Sequence, residues 1–276
     1  MRAPLATLWA FSRPHTLLGT ATSVPAIGHF VAGSAAGLDA LPAALLANVY
    51  VVGLNQLVDV KVDALNKPHL PLPSGAMTHR EAQGVVGAAL TLSLACAAAQ
   101  SKYLLCTCAA SMALGTCYSV GGCWRLKRSP EAAALSIVAV RGGLINAGFA
   151  SHAAGHFVLP RGLVAYFSAL ALAIALLKDV PDVCGDAACG LPSFARRWGG
   201  HDTVIVSAAL VLGALLGAVV TLGSSRLSVG ALLALWAALS FTRTTLKSSD
   251  LPQASTRLYR ALWVLWVASY ASLWCV

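Results

Sequence analysis

Runs of apolar residues long enough to cross a bilayer, roughly 17 to 25 residues each, recur along almost the whole chain. They fall at 17–36, 41–58, 82–99, 103–119, 131–151, 160–178, 203–222, 227–242 and 258–275. The runs are continuous and rich in Ala, Leu and Val, with none of the period-two alternation of a barrel strand, so helices are the economical way to satisfy their backbone in lipid. The expected fold is therefore all-α: a polytopic membrane protein of nine transmembrane helices. It is read as one domain over residues 1–276. Residues 1–16, MRAPLATLWAFSRPHT, are expected to form an interfacial segment, because Trp9 and Phe11 suit the membrane boundary and no signal-peptide pattern is present.

Composition agrees with lipid as the solvent. Charged residues make up 11% of the 276 positions and hydrophobic ones 58%, against about 25% charged in a soluble domain, and mean hydropathy is +0.74. A pI near 9.4 raises nucleic acid as a partner. However, the basic residues are scattered between apolar runs instead of forming one dense face, which excludes that reading. The 8 cysteines sit mostly inside apolar stretches and show no zinc-ligand spacing, so they read as small buried residues.

Nine spans place alternate loops on opposite sides, and the basic residues test that arrangement. Arg2, Arg13, Lys61, Lys67, Arg80, Arg125, Lys127, Arg128, Lys178, Arg196, Arg197, Arg243, Lys247, Arg257 and Arg260 fall on the side of the N-terminus, against Lys102, Arg161 and Arg226 on the other. By the positive-inside rule the N-terminal side is expected to be cytosolic or its topological equivalent. Arg141 alone lies well inside a span.

The carboxylates number only 10, and five of them form two clusters at span ends on that basic side. In NQLVDVKVDALNKPHLPLPSG, Asn55, Asp59 and Asp63 recur every fourth residue, which stacks three oxygen-bearing side chains on one helical face. In KDVPDVCGD, Asp179, Asp182 and Asp186 recur at three and four, with Pro181 implying a fresh helix start. Any one of these could be a loop charge balancing Lys61, Lys67 or Lys178. Two matched ladders of like charge near a bilayer call for a shared cation. Oxygen ligands without imidazole or thiolate favour a hard divalent ion, and Mg²⁺ characteristically joins carboxylates to substrate phosphates. A diphosphate is therefore the expected substrate group, with Arg13, Lys67, Lys127 and Arg128 as candidates to meet its oxygens. Arg141, in IVAVRGGLINAGFASH, either orients an anionic head group beside the amide of Asn146 or pairs internally with an aspartate.

On these residues the chain resembles the UbiA superfamily of intramembrane prenyltransferases, whose marks are an NxxxDxxxD motif after the second helix and a DxxxD-type motif after the sixth. FSRPHTLLGTATS, NVYVVGLNQLVDVKVDALNKPHLPLPSG and LLKDVPDVCGDAACGLPSFARRWG are similar to the plant and algal homogentisate prenyltransferases. PLPSG and LPSF point to the phytyltransferase branch of tocopherol synthesis over the solanesyltransferase branch of plastoquinone synthesis. Lys61, Cys184 and Cys189 depart from the group's usual residues without removing a motif aspartate.

The resemblance implies a central cavity opening to lipid and two Mg²⁺ ions. It implies that Asp59, Asp63, Asp179, Asp182 and Asp186 act as metal ligands, with Asn55 in the same catalytic set. Transfer of a prenyl group, phytyl above others, would go from its diphosphate to homogentisate, with decarboxylation to a methyl-prenylquinol. Tyr118 would line the allylic pocket or anchor the membrane interface. His15 and His69 would contact the acceptor or serve structure. A plastid membrane, with the active-site loops on the stromal side, is implied by the same resemblance. A geranylgeranyl or solanesyl transferase, another UbiA prenyltransferase acting on a different acceptor, or, from a different class, an ion-coupled membrane transporter, are the competing readings.

Overall fold

The computed structural model describes residues 5–33, 37–122, 125–222 and 237–275, with side chains of 219–222 outside that description. Among the described residues the secondary structure is helical, and eight of the nine apolar runs coincide with helices. They are α1 (Leu5–Phe11), α2 (Pro14–Ala32), α3 (Leu41–Val58), α4 (Val60–Asn66), α5 (His79–Gln100) and α6 (Lys102–Ser119), followed by α7 (Pro130–Val138), a π-helical turn (Ala139–Leu144) and α8 (Ile145–Ala154). The second half holds α9 (Arg161–Leu177), α10 (Val183–Ala188), α11 (Phe194–Trp198), α12 (Gly200–Leu222) and α13 (Leu251–Ser272). In the run expected at 227–242, residues 227–236 lie outside the described residues, as do Arg2, Cys123 and Arg226, while 237–246 are helical. By length and composition, four described helices can cross a membrane: Leu38–Val58, His79–Gln100, Pro130–Ala154 and Gly200–Ala218.

Helix limits follow local chemistry. Thr78 and Glu81 form a reciprocal capping box at the start of α5, and Ser101 and Ser129 cap α6 and α7 through their hydroxyls. Pro14, Pro42 and Pro130 sit in the first turns of their helices, where a missing N–H costs nothing. Pro25 lies inside α2, as apolar membrane helices tolerate.

The chain divides into two compact units. The first comprises Met1–Leu126, Ala147–Val158 and Leu273–Val276. Its centre is α3, packed by α2, α5 and α6. A Cβ at Gly53 would lie 2.8 Å from Val86 and 2.9 Å from Phe11, and one at Gly115 would lie 2.8 Å from Val51, so glycine is what lets these helices approach. Polar bonds join the same helices: Tyr50 to Thr116 at 2.8 Å, Asn48 to Thr16 at 3.0 Å, and Ser93 donating to the Ala43 carbonyl at 2.8 Å. His152 joins Ser101 at 2.8 Å to Asp39 at 3.0 Å.

The second unit comprises Lys127–Asn146 and Leu159–Ser272. Here α9 is central, packed by α7, the π turn, α12 and α13. Phe167 stacks on Tyr270 with ring centroids 3.8 Å apart and meets Trp266 edge-on at 5.0 Å. Gly142 is pressed on α9 so closely that a Cβ would lie 2.2 Å from the Ser168 hydroxyl.

Candidate active site

The first ladder is built at the end of α3. The expected single helix is interrupted at Asp59, which ends α3 and begins α4 with φ −96° and ψ 14°. The backbone nevertheless keeps the four-residue rhythm: Asp59 donates to the Asn55 carbonyl at 2.9 Å and Asp63 to the Asp59 carbonyl at 2.8 Å. Asn55, Asp59 and Asp63 therefore stay in register across the break. The Asn55 amide donates to Asp59 at 2.8 Å, orienting a carboxylate that is only 2% exposed.

Each buried aspartate of this ladder meets an arginine from a distant part of the sequence. Arg125 forms an ion pair with Asp59, and Arg13 lies 3.6 Å from Asp63. Arg13 achieves this with φ 51°, the one non-glycine residue at positive φ among those described. That conformation costs about 1–3 kcal/mol, and it turns the chain between α1 and α2. Gln56, fully buried, donates to the Phe11 carbonyl at 2.6 Å and so fastens the Arg13 corner to α3. Arg125 is a site residue that sequence reading passed over. Its signal was its place in the basic run WRLKR, where Lys127 and Arg128 drew attention instead. Arg128 is exposed, as are His15 and His69, whereas Lys67 and Tyr118 are half-buried.

The second ladder follows α9. Pro181 breaks the helix as expected, Asp182 starts α10, and Asp186 donates its N–H to the Asp182 carbonyl at 2.9 Å. Lys178 meets Asp179 at 2.5 Å. Burial raises the Asp186 carboxyl above the ordinary range, and repulsion from Asp179 and Asp182 adds to the shift while Lys127 and Lys178 oppose it. Asp179, Asp182 and Asp186 thus share the end of α9 with Lys127 and Lys178. Beyond the ladder, Ser193 caps α11, Arg196 holds the Leu191 carbonyl at 2.5 Å, and Arg197 pairs with Glu131 at the start of α7.

The donors of both ladders are carboxylate and amide oxygens, the set a hard divalent cation takes. Among the described residues no three Asp, Glu, His or Cys side chains converge as a ready cage. The fit is to an ion completed by substrate oxygens, as Mg²⁺ prefers, and the mutual repulsion of Asp179, Asp182 and Asp186 is the feature that favours it.

Arg141 lies on the π turn, with its guanidinium carbon 4.8 Å from the centre of the Trp263 ring. Among the described residues no carboxylate pairs with it, which overturns the internal aspartate pairing as a reading of this residue. Asn146 spends its amide on the same turn: it donates to the carbonyls of Arg141 at 3.1 Å and Gly142 at 2.9 Å, and accepts from the Tyr270 hydroxyl at 3.0 Å. Its place is to hold the turn that carries Arg141.

Comparison with known proteins matches residues 5–270 to the UbiA prenyltransferase family. The chain belongs to that family. This UbiA member is 41% identical to the homogentisate phytyltransferase of Synechocystis over 67% of its own length and 65% of the relative's. It is 33% identical to a probable chloroplastic homogentisate phytyltransferase of Oryza sativa, covering 95% of this chain and 71% of that one. A homogentisate geranylgeranyltransferase of Hordeum vulgare is 35% identical over 80% of this chain and 59% of the relative. The match thus spans somewhat less than two thirds of the Synechocystis protein. The fold is that of a UbiA homolog from Archaeoglobus fulgidus bound to GPP and Mg²⁺, at TM-score 0.70 and 19% identity over 98% of this chain and all of the other.

Proposed function

We propose that this UbiA member transfers a prenyl group, phytyl in preference to longer chains, from its diphosphate to homogentisate, releasing diphosphate and carbon dioxide and leaving a methyl-prenylquinol. The observation that carries the reading is the pair of aspartate ladders, one met by Arg13 and Arg125 and the other clustering three carboxylates that repel one another, in a chain whose relatives bear homogentisate prenyltransferase names. The protein acts as a single domain in the membrane. By the names of its plant relatives and its basic loops, it belongs in a plastid membrane with these ladders on the stromal side.

Asp59, Asp63, Asp179, Asp182 and Asp186 hold the metal, expected as two Mg²⁺ ions. Bound Mg²⁺ neutralises charge on the departing diphosphate. Asn55 keeps the Asp59 carboxylate aimed through its amide bond. Lys67, Lys127 and Arg128 meet the outer phosphate oxygens as point charges or forks. Arg13, 3.6 Å from Asp63, would turn to a phosphate oxygen where Asp63 serves as a metal ligand. Tyr118 flanks the allylic carbon, and apolar walls keep water from the developing cation.

The test is mass spectrometry of products after purified protein meets homogentisate and a mixture of phytyl, geranylgeranyl and solanesyl diphosphates, with and without Mg²⁺. A magnesium-dependent, decarboxylated phytylquinol is expected. A dominant geranylgeranyl product would move the chain to the branch of the Hordeum relative. Transfer to a different aromatic acceptor alone would discard homogentisate. With folded protein and no transfer to any acceptor, solute uptake into vesicles would establish a carrier instead.

A further inference from the structure

We infer that Arg141 and the aromatic residues around it form the receptor for the carboxylate of the aromatic acceptor, a deeper statement of the proposed transfer and one that rests on it. The residue lies inside the apolar stretch Pro130–Ala154, eleven positions beyond Pro130, which is roughly 16 Å along a helix. A cation at that depth is expensive unless it faces a partner or a cavity. Its partner in the described structure is an aromatic face: the Trp263 ring at 4.8 Å, which in turn packs against Tyr259. Carboxylates and carbonyls make no bond to its guanidinium among the described residues. It is half-buried, so its N–H groups are not sealed in packing.

The backbone is arranged around this one side chain. The π turn Ala139–Leu144 inserts an irregularity where α7 would otherwise run directly into α8, and such turns gather at functional sites. Asn146 fastens the turn through two carbonyls and is itself held by Tyr270. Gly142 seats the turn against Ser168 of α9 with no room for a methyl group. These devices fix where the guanidinium stands, and none of them consumes its donors.

The chemistry of the guanidinium selects the ligand. A planar fork of N–H donors takes one carboxylate in two parallel bonds, and the half-buried ring of Tyr259, which packs edge-on against Trp263, is an aromatic neighbour suited to an aromatic body. A diphosphate carries more charge than one guanidinium balances, and a lipid head group does not reach this depth. A small aromatic acid fits. Homogentisate has such a carboxylate, while its prenylated product has lost it, so the same residue distinguishes acceptor from product.

Equilibrium dialysis of homogentisate and of its methyl ester against wild type, Arg141→Gln and Arg141→Lys, with no prenyl diphosphate present, tests this directly. Wild type is expected to prefer the acid by roughly 10- to 100-fold, the worth of hydrogen bonds to a charged group. Arg141→Gln should bring acid and ester within about threefold, a residue of ordinary shape differences well below one such bond. Arg141→Lys should keep part of the preference. In turnover, Arg141→Gln should raise the KM for homogentisate and leave the KM for the prenyl diphosphate unchanged.

An acid preference that survives in Arg141→Gln would overturn the inference, as would a rise in prenyl diphosphate KM alone. Should Arg141→Gln not fold, wild type by itself decides, since equal binding of acid and ester would refute a carboxylate receptor. Arg141-dependent acid binding without any prenyl transfer would leave the receptor standing and remove the proposed reaction. Transfer without Arg141 dependence would do the reverse.

Discussion

Replacing Arg125 by Gln should destabilise the protein through a carboxylate it never touches in sequence. Asp59 is 2% exposed and meets the Arg125 guanidinium and the Asn55 amide. Removing one partner of a buried ion pair typically costs about 3–5 kcal/mol. The low end applies, because the Arg125 side chain is 17% exposed and Asn55 remains on Asp59. At about 3 kcal/mol, and roughly 2–4 °C per kcal/mol for a chain of this size, Tm should fall by roughly 6–12 °C. The assay is thermal unfolding of the purified protein in one detergent at fixed pH without added Mg²⁺. Asp59→Asn combined with Arg125→Gln should be less destabilising than the sum of the singles by about 1.5 kcal/mol or more, since neither charge is then left alone. A fall below about 2 °C for Arg125→Gln, at most about 1 kcal/mol, would refute the reasoning. So would strict additivity in the double variant.

Three further outcomes follow from the packing and the ladders. Gly142→Ala places a methyl group 2.2 Å from the Ser168 hydroxyl and should cost about 1–3 kcal/mol. Gly143→Ala meets nothing within 4 Å and should be neutral or stabilising by about 0.5–1 kcal/mol, so equal Tm values for the two would contradict the packing described. Thr78→Ala removes the capping box of α5 and should lower stability by about 1 kcal/mol, with Thr78→Ser largely restoring it. Mg²⁺ with a prenyl diphosphate should raise the Tm of wild type. That increment should vanish in Asp182→Asn and Asp186→Asn, and its persistence in both would remove the second ladder from metal binding.

Much of the helical frame can be read from hydropathy alone, because lipid demands long runs with internally satisfied backbone. The limits of α3, α5 and α9 fall close to the runs that announce them, whereas the run at 131–151 is divided into α7, the π turn and α8. Pro181 likewise announces the break after α9. The interruption at Asp59 carries no such mark, since Val58 and Val60 flank it as ordinary apolar residues. Arg125 is marked only as one basic residue among several. In a loop of several basic residues, sequence cannot say which guanidinium turns inward, and the choice fell to a carboxylate 66 positions away. Asn146 illustrates the opposite case, a residue marked as polar and buried whose amide is committed to the backbone of its own turn.

Periodicity and residue type, which are local quantities, determined by themselves that this chain is helical, that it carries two acidic ladders at helix ends, and that one cation stands inside an apolar run. Tertiary structure decided which charges meet: Arg13 and Arg125 at the first ladder, Lys127 and Lys178 at the second, and an aromatic face in place of a carboxylate at Arg141. The physical reason is that an ion pair or a cation–π contact depends on a few ångströms between side chains from separate helices. Those distances are set by how closely glycines such as Gly53, Gly115 and Gly142 let the helices pack.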